Sequence, residues 1–208
     1  MTQEHSPYSA ALGDRIDQLH PRLRSYVQAI PAGSTGVGIG VLDRLGCPRP
    51  LLRIAFAPLF LLLSRRGAVY RGWAEDVPFE VRNRGGDGRV RAERVFRVPG
   101  RTWTMRDAVQ AQGTGIVDRL GRPATLAAAF DVQVEHGAVA LRSTRIGLRL
   151  GPIRLRAPRF LAESIRLTES FDDTLDRQRI ALAVDVPLLG RIYEYSGTFR
   201  YRIEEEAA

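Results

Sequence analysis

Four polar side chains of this sequence fall on the apolar face of strand-like segments. By alternation, Arg94, Asp118 and Glu169 each share a face with apolar neighbours, and Tyr195 does so in the last such segment. An arginine beside two carboxyl groups can make bidentate hydrogen bonds. A carboxyl group in apolar surroundings can have its pKa raised and act as a general acid or base. We therefore predict that these four residues meet on the inner surface of a sheet, and ligand binding is our hypothesis for their role.

A structural explanation of the same cluster stays open. A lone buried charge is costly, so these groups must pair with one another or line a solvated cavity. A buried ion-pair network, or the rim of the sheet, would satisfy that requirement without any ligand. The sequence has no Gly-x-Ser-x-Gly, no His-Glu-x-x-His and no phosphate-binding loop. We therefore favour binding over catalysis and predict neither a metal nor a cofactor.

The segments that would carry the cluster alternate with a period of two from Pro78 to Ile203. Gly- or Asp-containing turns separate most of them, and short links without helices predict antiparallel hairpins. We predict an α+β fold whose sheet is a curved antiparallel meander of about nine or ten strands, shaped as a half-barrel. The predicted strands are Phe79–Val81, Val90–Val98, Trp103–Val109, Ile116–Leu120, Leu126–Val134, Val139–Leu150, Ile165–Phe171, Ile180–Val186 and Tyr193–Ile203.

Two helical segments precede the sheet. An apolar stripe from Leu12 to Ile30 predicts an amphipathic helix, which Pro21 should kink or divide. Leu51–Leu63 predicts a second, strongly apolar helix that packs on the concave face or closes it. It is shorter than the about 20 residues that span a bilayer. Gly36–Val41, between the two, is predicted as a short strand or turn that lacks the dinucleotide-binding Gly-x-Gly-x-x-Gly spacing.

Length and composition indicate one domain. The chain has 208 residues and a formal net charge of +8, with every basic residue an arginine. We predict a single domain over residues 8–204, with disordered tails at 1–7 and 205–208. The arginines are spread along the chain among acidic residues, which argues against nucleic acid as a partner. The first residues lack the features of a signal peptide, so we expect a cytoplasmic protein.

Several short motifs resemble a bacterial family, domain of unknown function 4166. They are Val77-Pro78-Phe79, Arg94-x-Phe96, Val117-Asp118-Arg119-Leu120-Gly121, Pro187-Leu188-Leu189-Gly190 and Tyr195-Ser196-Gly197. The resemblance implies a shared fold and no agreed activity. Members of that family are sometimes fused to saccharopine-dehydrogenase-like reductases. The resemblance therefore implies an accessory role beside a redox enzyme, here a separate reductase-type protein.

Three functions remain as hypotheses. The first is a binding module for an apolar or amphiphilic small molecule held on the concave face. The second is an enzyme that uses the inward carboxyl groups as general acid and base. The third is an interaction or membrane-surface scaffold that uses Leu51–Leu63 and the flanking arginines Arg53, Arg65 and Arg66.

Overall fold

A computed structural model of the protein describes residues 6–205, and in that range β-strands dominate. The α-helices are α1 (Pro7–Leu12), α2 (Pro21–Val27), α3 (Pro50–Ala55) and α4 (Ala57–Arg65). The strands are β1 (Ser34–Gly46), β2 (Trp73–Gly86), β3 (Arg89–Val98), β4 (Arg101–Gln112), β5 (Gly115–Leu120), β6 (Leu126–Glu135), β7 (Ala138–Leu150), β8 (Ile153–Arg156), β9 (Ile165–Asp172), β10 (Arg177–Val186) and β11 (Gly190–Glu205). Two 3₁₀-helices lie at Gly13–Gln18 and Arg159–Leu161 in the described range.

Ten of these strands form a closed antiparallel barrel. The ring runs from β1 to β7 in sequence order, then through β9, β10 and β11 back to β1. β8 lies outside the ring and pairs with β7. The predicted antiparallel meander is confirmed, but the predicted half-barrel is wrong because the first and last strands pair with each other. That contact joins residues far apart in sequence, and alternation within a strand carries no information about it.

β1 is much longer than the predicted strand or turn at Gly36–Val41, and its glycines allow its neighbours to approach closely. A Cβ atom at Gly36 would collide with the side chain of Tyr201 on β11. A Cβ atom at Gly38 would lie 2.6 Å from Val81 Cγ1 and 3.0 Å from Phe199 Cδ2. The glycines therefore let large side chains of β2 and β11 fill the space in front of β1, where the ring closes.

The N-terminal segment covers one end of the barrel, called here the α1–α2 end. The side chain of Ser6 accepts a hydrogen bond from Ser9 N–H (3.0 Å) and caps α1. Pro21 begins α2, so the predicted break at this proline is confirmed. His20 N–H donates to the carbonyl of Gly137 (2.9 Å), in the turn between β6 and β7. Leu12, Leu19 and Val27 are buried against β4–β7 and β9, and they close this end with apolar side chains.

The opposite end, called here the α3–α4 end, carries the apolar segment Leu51–Leu63. It forms two short helices rather than the single predicted helix, because Pro58 cannot donate a backbone hydrogen bond within a continuous helix. Phe60 and Leu63 are buried against the barrel, whereas Leu51 and Ile54 are exposed. Trp103 Nε1 donates to the carbonyl of Ser64 (3.1 Å) and ties α4 to β4. The segment therefore covers the barrel end with only one of its faces.

The predicted tails lie mostly outside the described range. Residues 1–5 and 206–208 are not described, so the prediction for those positions has no structural counterpart. Ser6 and Pro7 belong to the cap and first turn of α1, and Glu205 is the last residue of β11.

Candidate functional site

The four sequence-predicted site residues line one cavity inside the barrel. Arg94 projects from β3, Asp118 from β5, Glu169 from β9 and Tyr195 from β11. The cavity encloses about 90 Å³, and most of its other lining side chains are apolar. The alternation of the strands thus brings the four residues together, and their role in binding a ligand stays a prediction.

Asp107 on β4 also lines the cavity and forms an ion pair with Arg94. Its carboxyl group accepts a hydrogen bond from Arg94 Nη1, and its side chain is only 2% exposed. Sequence reasoning missed this residue, although a signal was present. Asp107 alternates in phase with Trp103 and Met105, so the same rule that selected Arg94 also selects Asp107.

A tyrosine from α2 completes the other side of the cluster. The Tyr26 hydroxyl donates a hydrogen bond to Glu169 Oε1 (3.1 Å). Tyr26 follows Leu23 by three residues and therefore lies on the buried face of α2, a spacing that could have identified it. Tyr8 of α1 lines the same cavity. The α1–α2 end thus supplies polar groups to the lumen as well as its closure.

Two buried carboxyl oxygens of the cluster have no hydrogen-bond partner in the part of the chain that the structure describes. Asp118 Oδ1 and Glu169 Oε2 are shielded from solvent, and neither makes a hydrogen bond to any atom of residues 6–205. Asp118 as a whole residue is partly exposed, whereas Glu169 is 3% exposed. Buried polar groups in folded proteins are normally hydrogen-bonded. These two oxygens are therefore the positions in the lumen where a bound water or ligand would satisfy a hydrogen bond.

The pKa values of the three carboxyl groups in the lumen are raised. Burial, reinforced by the charge of Asp107, raises the pKa of Asp118 to about 8, against an opposing effect of Arg94. Burial raises the pKa of Glu169 to about 7, although Arg94 and the Tyr26 hydrogen bond act to lower it. Burial also raises the pKa of Asp107, while its contact with Arg94 opposes that shift.

The remaining two groups of the cluster keep their ordinary protonation states. Burial acts to lower the pKa of Arg94, but Asp107 and the neighbouring acidic groups more than offset it, so the guanidinium remains a cation. Burial raises the pKa of Tyr195, so its hydroxyl remains a neutral donor and acceptor.

These protonation states define what the lumen can do chemically. Three carboxyl groups face one arginine, so full ionisation would leave an excess of two negative charges in an apolar cavity. Proton uptake by Asp118 and Glu169 near neutral pH removes that excess and turns both groups into hydrogen-bond donors. The site can therefore donate to a neutral acceptor at low pH and attract a cation at high pH. Among residues 6–205, no cluster of three or more His, Cys, Asp or Glu side chains is arranged to hold a metal ion.

Fold and site together define a helix-capped, ten-stranded antiparallel barrel with an ionisable lumen. The chain belongs to the family described as domain of unknown function (DUF4166), whose model matches residues 19–199. Comparison with curated proteins and with solved structures found no match. Within the described range, none of the helices has the length and apolar content to cross a membrane.

Proposed function

We propose that the barrel lumen binds a small amphiphilic molecule whose polar end contacts Asp118 and Glu169. The observation that carries this proposal is the pair of unpartnered buried oxygens, Asp118 Oδ1 and Glu169 Oε2, on the wall of one cavity. Ligand sites are typically apolar with a few placed polar groups, which is the composition of this lining. The apolar part of the ligand would pack against residues such as Leu167 and Val184.

The size of the cavity limits the ligand that fits without movement. An apolar cavity of about 150 Å³ accommodates benzene, so about 90 Å³ suits a molecule of about four or five non-hydrogen atoms. A longer amphiphile would require α1 and α2, which contribute Tyr8 and Tyr26, to move away from the lumen. The accessory role beside a reductase stays a prediction, and the use of the carboxyl groups for catalysis stays an alternative hypothesis.

Three probes with three carbon atoms each test this proposal: 1-propanol, 1-propylamine and propanoate. At pH 6 Asp118 and Glu169 are largely protonated, and we expect 1-propanol to bind best. At pH 9 they are ionised, and we expect the propylammonium ion to bind best, because three carboxylates then face one arginine. Propanoate should bind weakly at both values. Chemical-shift perturbation of the lumen methyl groups at millimolar ligand measures the three affinities.

Two variants and one control locate the effect. Asp118→Asn and Glu169→Gln should each weaken the preference for the cation at pH 9, because each leaves two carboxylates beside one arginine, and the double variant should abolish it. Glu75→Gln, an exposed carboxylate on β2, should leave the preference unchanged. Equal affinity of the three probes at both pH values, or unchanged selectivity in both lumen variants, would overturn the proposal.

A further inference from the structure

The α3–α4 end of the molecule is one continuous surface built from segments far apart in sequence. They are residues 47–72, 99–101, 121–125, 149–164 and 187–189, which connect or terminate the strands at this end. Hydrogen bonds join neighbouring segments of this surface, called here the rim. Arg49 donates to the carbonyl of Leu189, Arg149 N–H to Thr125 O (2.7 Å) and Arg122 N–H to Arg66 O (2.8 Å). Asp185 N–H, at the end of β10 next to the rim, donates to Ser164 O (2.8 Å). The rim therefore links α3 around the barrel back to α4.

This surface carries the whole net positive charge of the protein. The five segments hold eleven of the 31 arginines and one of the 23 acidic residues, Glu163. Their formal charge is +10, and the remaining residues together carry −2. The arginines that are spread along the sequence are thus concentrated by the fold, and the absence of nucleic acid as a partner stays a prediction.

The eleven arginines of this surface also form no ion pair with any residue from 6 to 205. None of them has a carboxylate within 4.0 Å among residues 6–205. The barrel wall and the α1–α2 end differ, since Arg22, Arg106 and Arg179, for example, each bond to a carboxylate. The unpaired cations are Arg49, Arg53, Arg65, Arg66, Arg71, Arg101, Arg122, Arg149, Arg154, Arg156 and Arg159. Their charges are therefore available to an external anionic partner.

Exposed apolar side chains are concentrated on the same surface. Of the eleven large apolar residues exposed in the described range, seven lie on these segments. They are Leu51, Ile54, Leu59, Ile153, Leu155, Phe160 and Leu188, with Leu51 at 80% exposure and Leu188 fully exposed. They occur on α3 and α4, on β8 and the adjoining 3₁₀ turn, and in the turn between β10 and β11. A soluble monomer gains nothing from such a concentration of exposed apolar surface, which marks an interaction site.

We propose that the α3–α4 end docks on an anionic lipid surface. Arginines surrounding exposed Leu, Ile and Phe side chains match an interface in which phosphate headgroups neutralise the cations and the apolar side chains enter the acyl boundary. A nucleic acid would pair with the arginines but offer nothing to Leu51, Ile54 or Leu188. A second copy of the chain that presented the same surface would carry an equal charge of the same sign and be repelled, and the rest of the chain offers only a formal charge of −2.

Vesicle sedimentation tests the docking directly. The probes are vesicles of phosphatidylcholine alone and vesicles that contain 30% phosphatidylglycerol, each at 0.05 M and 0.5 M NaCl. We expect the protein to sediment with the anionic vesicles at low salt, to be largely released at high salt, and not to sediment with the neutral vesicles.

Matched variants separate the charged and apolar contributions. Arg65→Gln with Arg66→Gln should weaken binding at low salt about 30-fold, at the usual contribution of one basic residue near an anionic membrane. Arg89→Gln with Arg145→Gln removes two exposed arginines that lie outside this surface and should change binding less than threefold. Leu188→Ser with Ile54→Ser should weaken binding about tenfold, whereas Leu175→Ser, in the exposed β9–β10 turn at the other end, should not. Circular dichroism checks that each variant is folded.

Three outcomes would overturn the proposal. The first is no sedimentation of the wild-type protein with anionic vesicles at low salt. The second is equal loss of binding in the two arginine pairs, which would indicate attraction by net charge without a docking face. The third is binding to duplex DNA that is weakened by Arg65→Gln with Arg66→Gln, together with vesicle binding insensitive to Leu188→Ser with Ile54→Ser. That combination would assign the surface to nucleic acid.

Discussion

At the scale of single residues, two ion pairs on the same two strands show how burial changes the role of a charge. Arg94 and Asp107 pair inside the barrel, where their side chains are 17% and 2% exposed. On the outer face of the same hairpin, Arg106 Nε lies 2.9 Å from Glu93 Oε2, and these two side chains are 43% and 50% exposed. Solvent screens the outer pair, whereas the inner pair holds a cation in place at the wall of the lumen.

We predict that Asp107→Asn is far more destabilising than Glu93→Gln. Loss of the inner carboxylate leaves Arg94 charged and buried, which typically costs about 3–5 kcal/mol in the free energy of unfolding. Loss of the outer carboxylate should cost less than about 1 kcal/mol. Urea unfolding at pH 7 measures both values. Equal losses in the two variants would show that solvent reaches Arg94. The double variant Arg94→Met with Asp107→Leu should recover most of the stability that Asp107→Asn loses.

The residues of the lumen were predictable from the sequence to different degrees. Arg94, Asp118 and Glu169 follow from strand alternation, and Asp107 obeys the same rule although it was not selected. The hydrogen bond from Tyr26 to Glu169 joins positions 143 residues apart, and no local pattern pairs a helix residue with a particular strand. The protonation of the carboxyl groups depends on burial by several strands at once, so sequence alone indicated only that it could occur.

At the scale of elements, β1 determines whether the sheet is open or closed. It pairs with β2 on one side and with β11 on the other, so a meander without it would end in two unpaired edges. The strands from β2 onward were predictable because each alternates with a period of two between turn residues. β1 was underestimated because its inward positions Gly36, Gly38 and Gly40 carry no apolar side chain. β8 was missed although its four residues, Ile-Arg-Leu-Arg, alternate with a period of two.

We predict that Gly38→Ala destabilises the barrel by about 1–3 kcal/mol. The added methyl group would lie 2.6 Å from Val81 Cγ1, and such overpacking forces side chains out of their preferred rotamers. Gly147→Ala on β7 is the matched control, because its Cβ would meet only the carbonyl oxygen of Leu155 at 3.6 Å. Thermal unfolding followed by circular dichroism compares them. A Gly38→Ala variant as stable as the control would mean that the glycines of β1 are not needed for its close approach.

At the scale of the whole molecule, charge is arranged by the fold rather than by the sequence order. The lumen holds an excess of carboxyl groups, the α3–α4 end holds an excess of arginines, and the remaining surface is almost balanced. Strand alternation predicted part of the lumen cluster, but the arginine concentration was not predicted, because it combines residues from several segments that meet only in the folded barrel. The sequence therefore indicated the composition of the fold but not its electrostatic layout.

We predict that the stability of the protein falls as the pH rises from about 4 to about 8. Asp118 and Glu169 have pKa values raised to about 8 and about 7 in the folded protein. Between their ordinary values and these raised values the folded state binds more protons than the unfolded state, so the free energy of unfolding decreases with pH. Urea unfolding at pH 5 and pH 8.5 measures the difference, which should be a few kcal/mol.

The variant Glu169→Gln should flatten this dependence, because it removes one of the two groups that take up a proton on folding. Glu75→Gln on the outer surface should keep the wild-type slope. A Glu169→Gln variant with an unchanged slope would mean that the carboxyl group of Glu169 titrates in the folded protein as it does in the unfolded chain.

Ser34 pairs with Glu205, so the end of β11 lies beside the start of β1, at the α1–α2 end of the barrel. Since β11 runs from the α3–α4 end towards α1 and α2, anything tethered after residue 205 attaches at the pole opposite the arginine-rich surface. A label, a solid support or a joined enzyme at that position would leave the arginine-rich pole facing outward. An immobilised layer of this protein should therefore display one uniform orientation to whatever is passed over it.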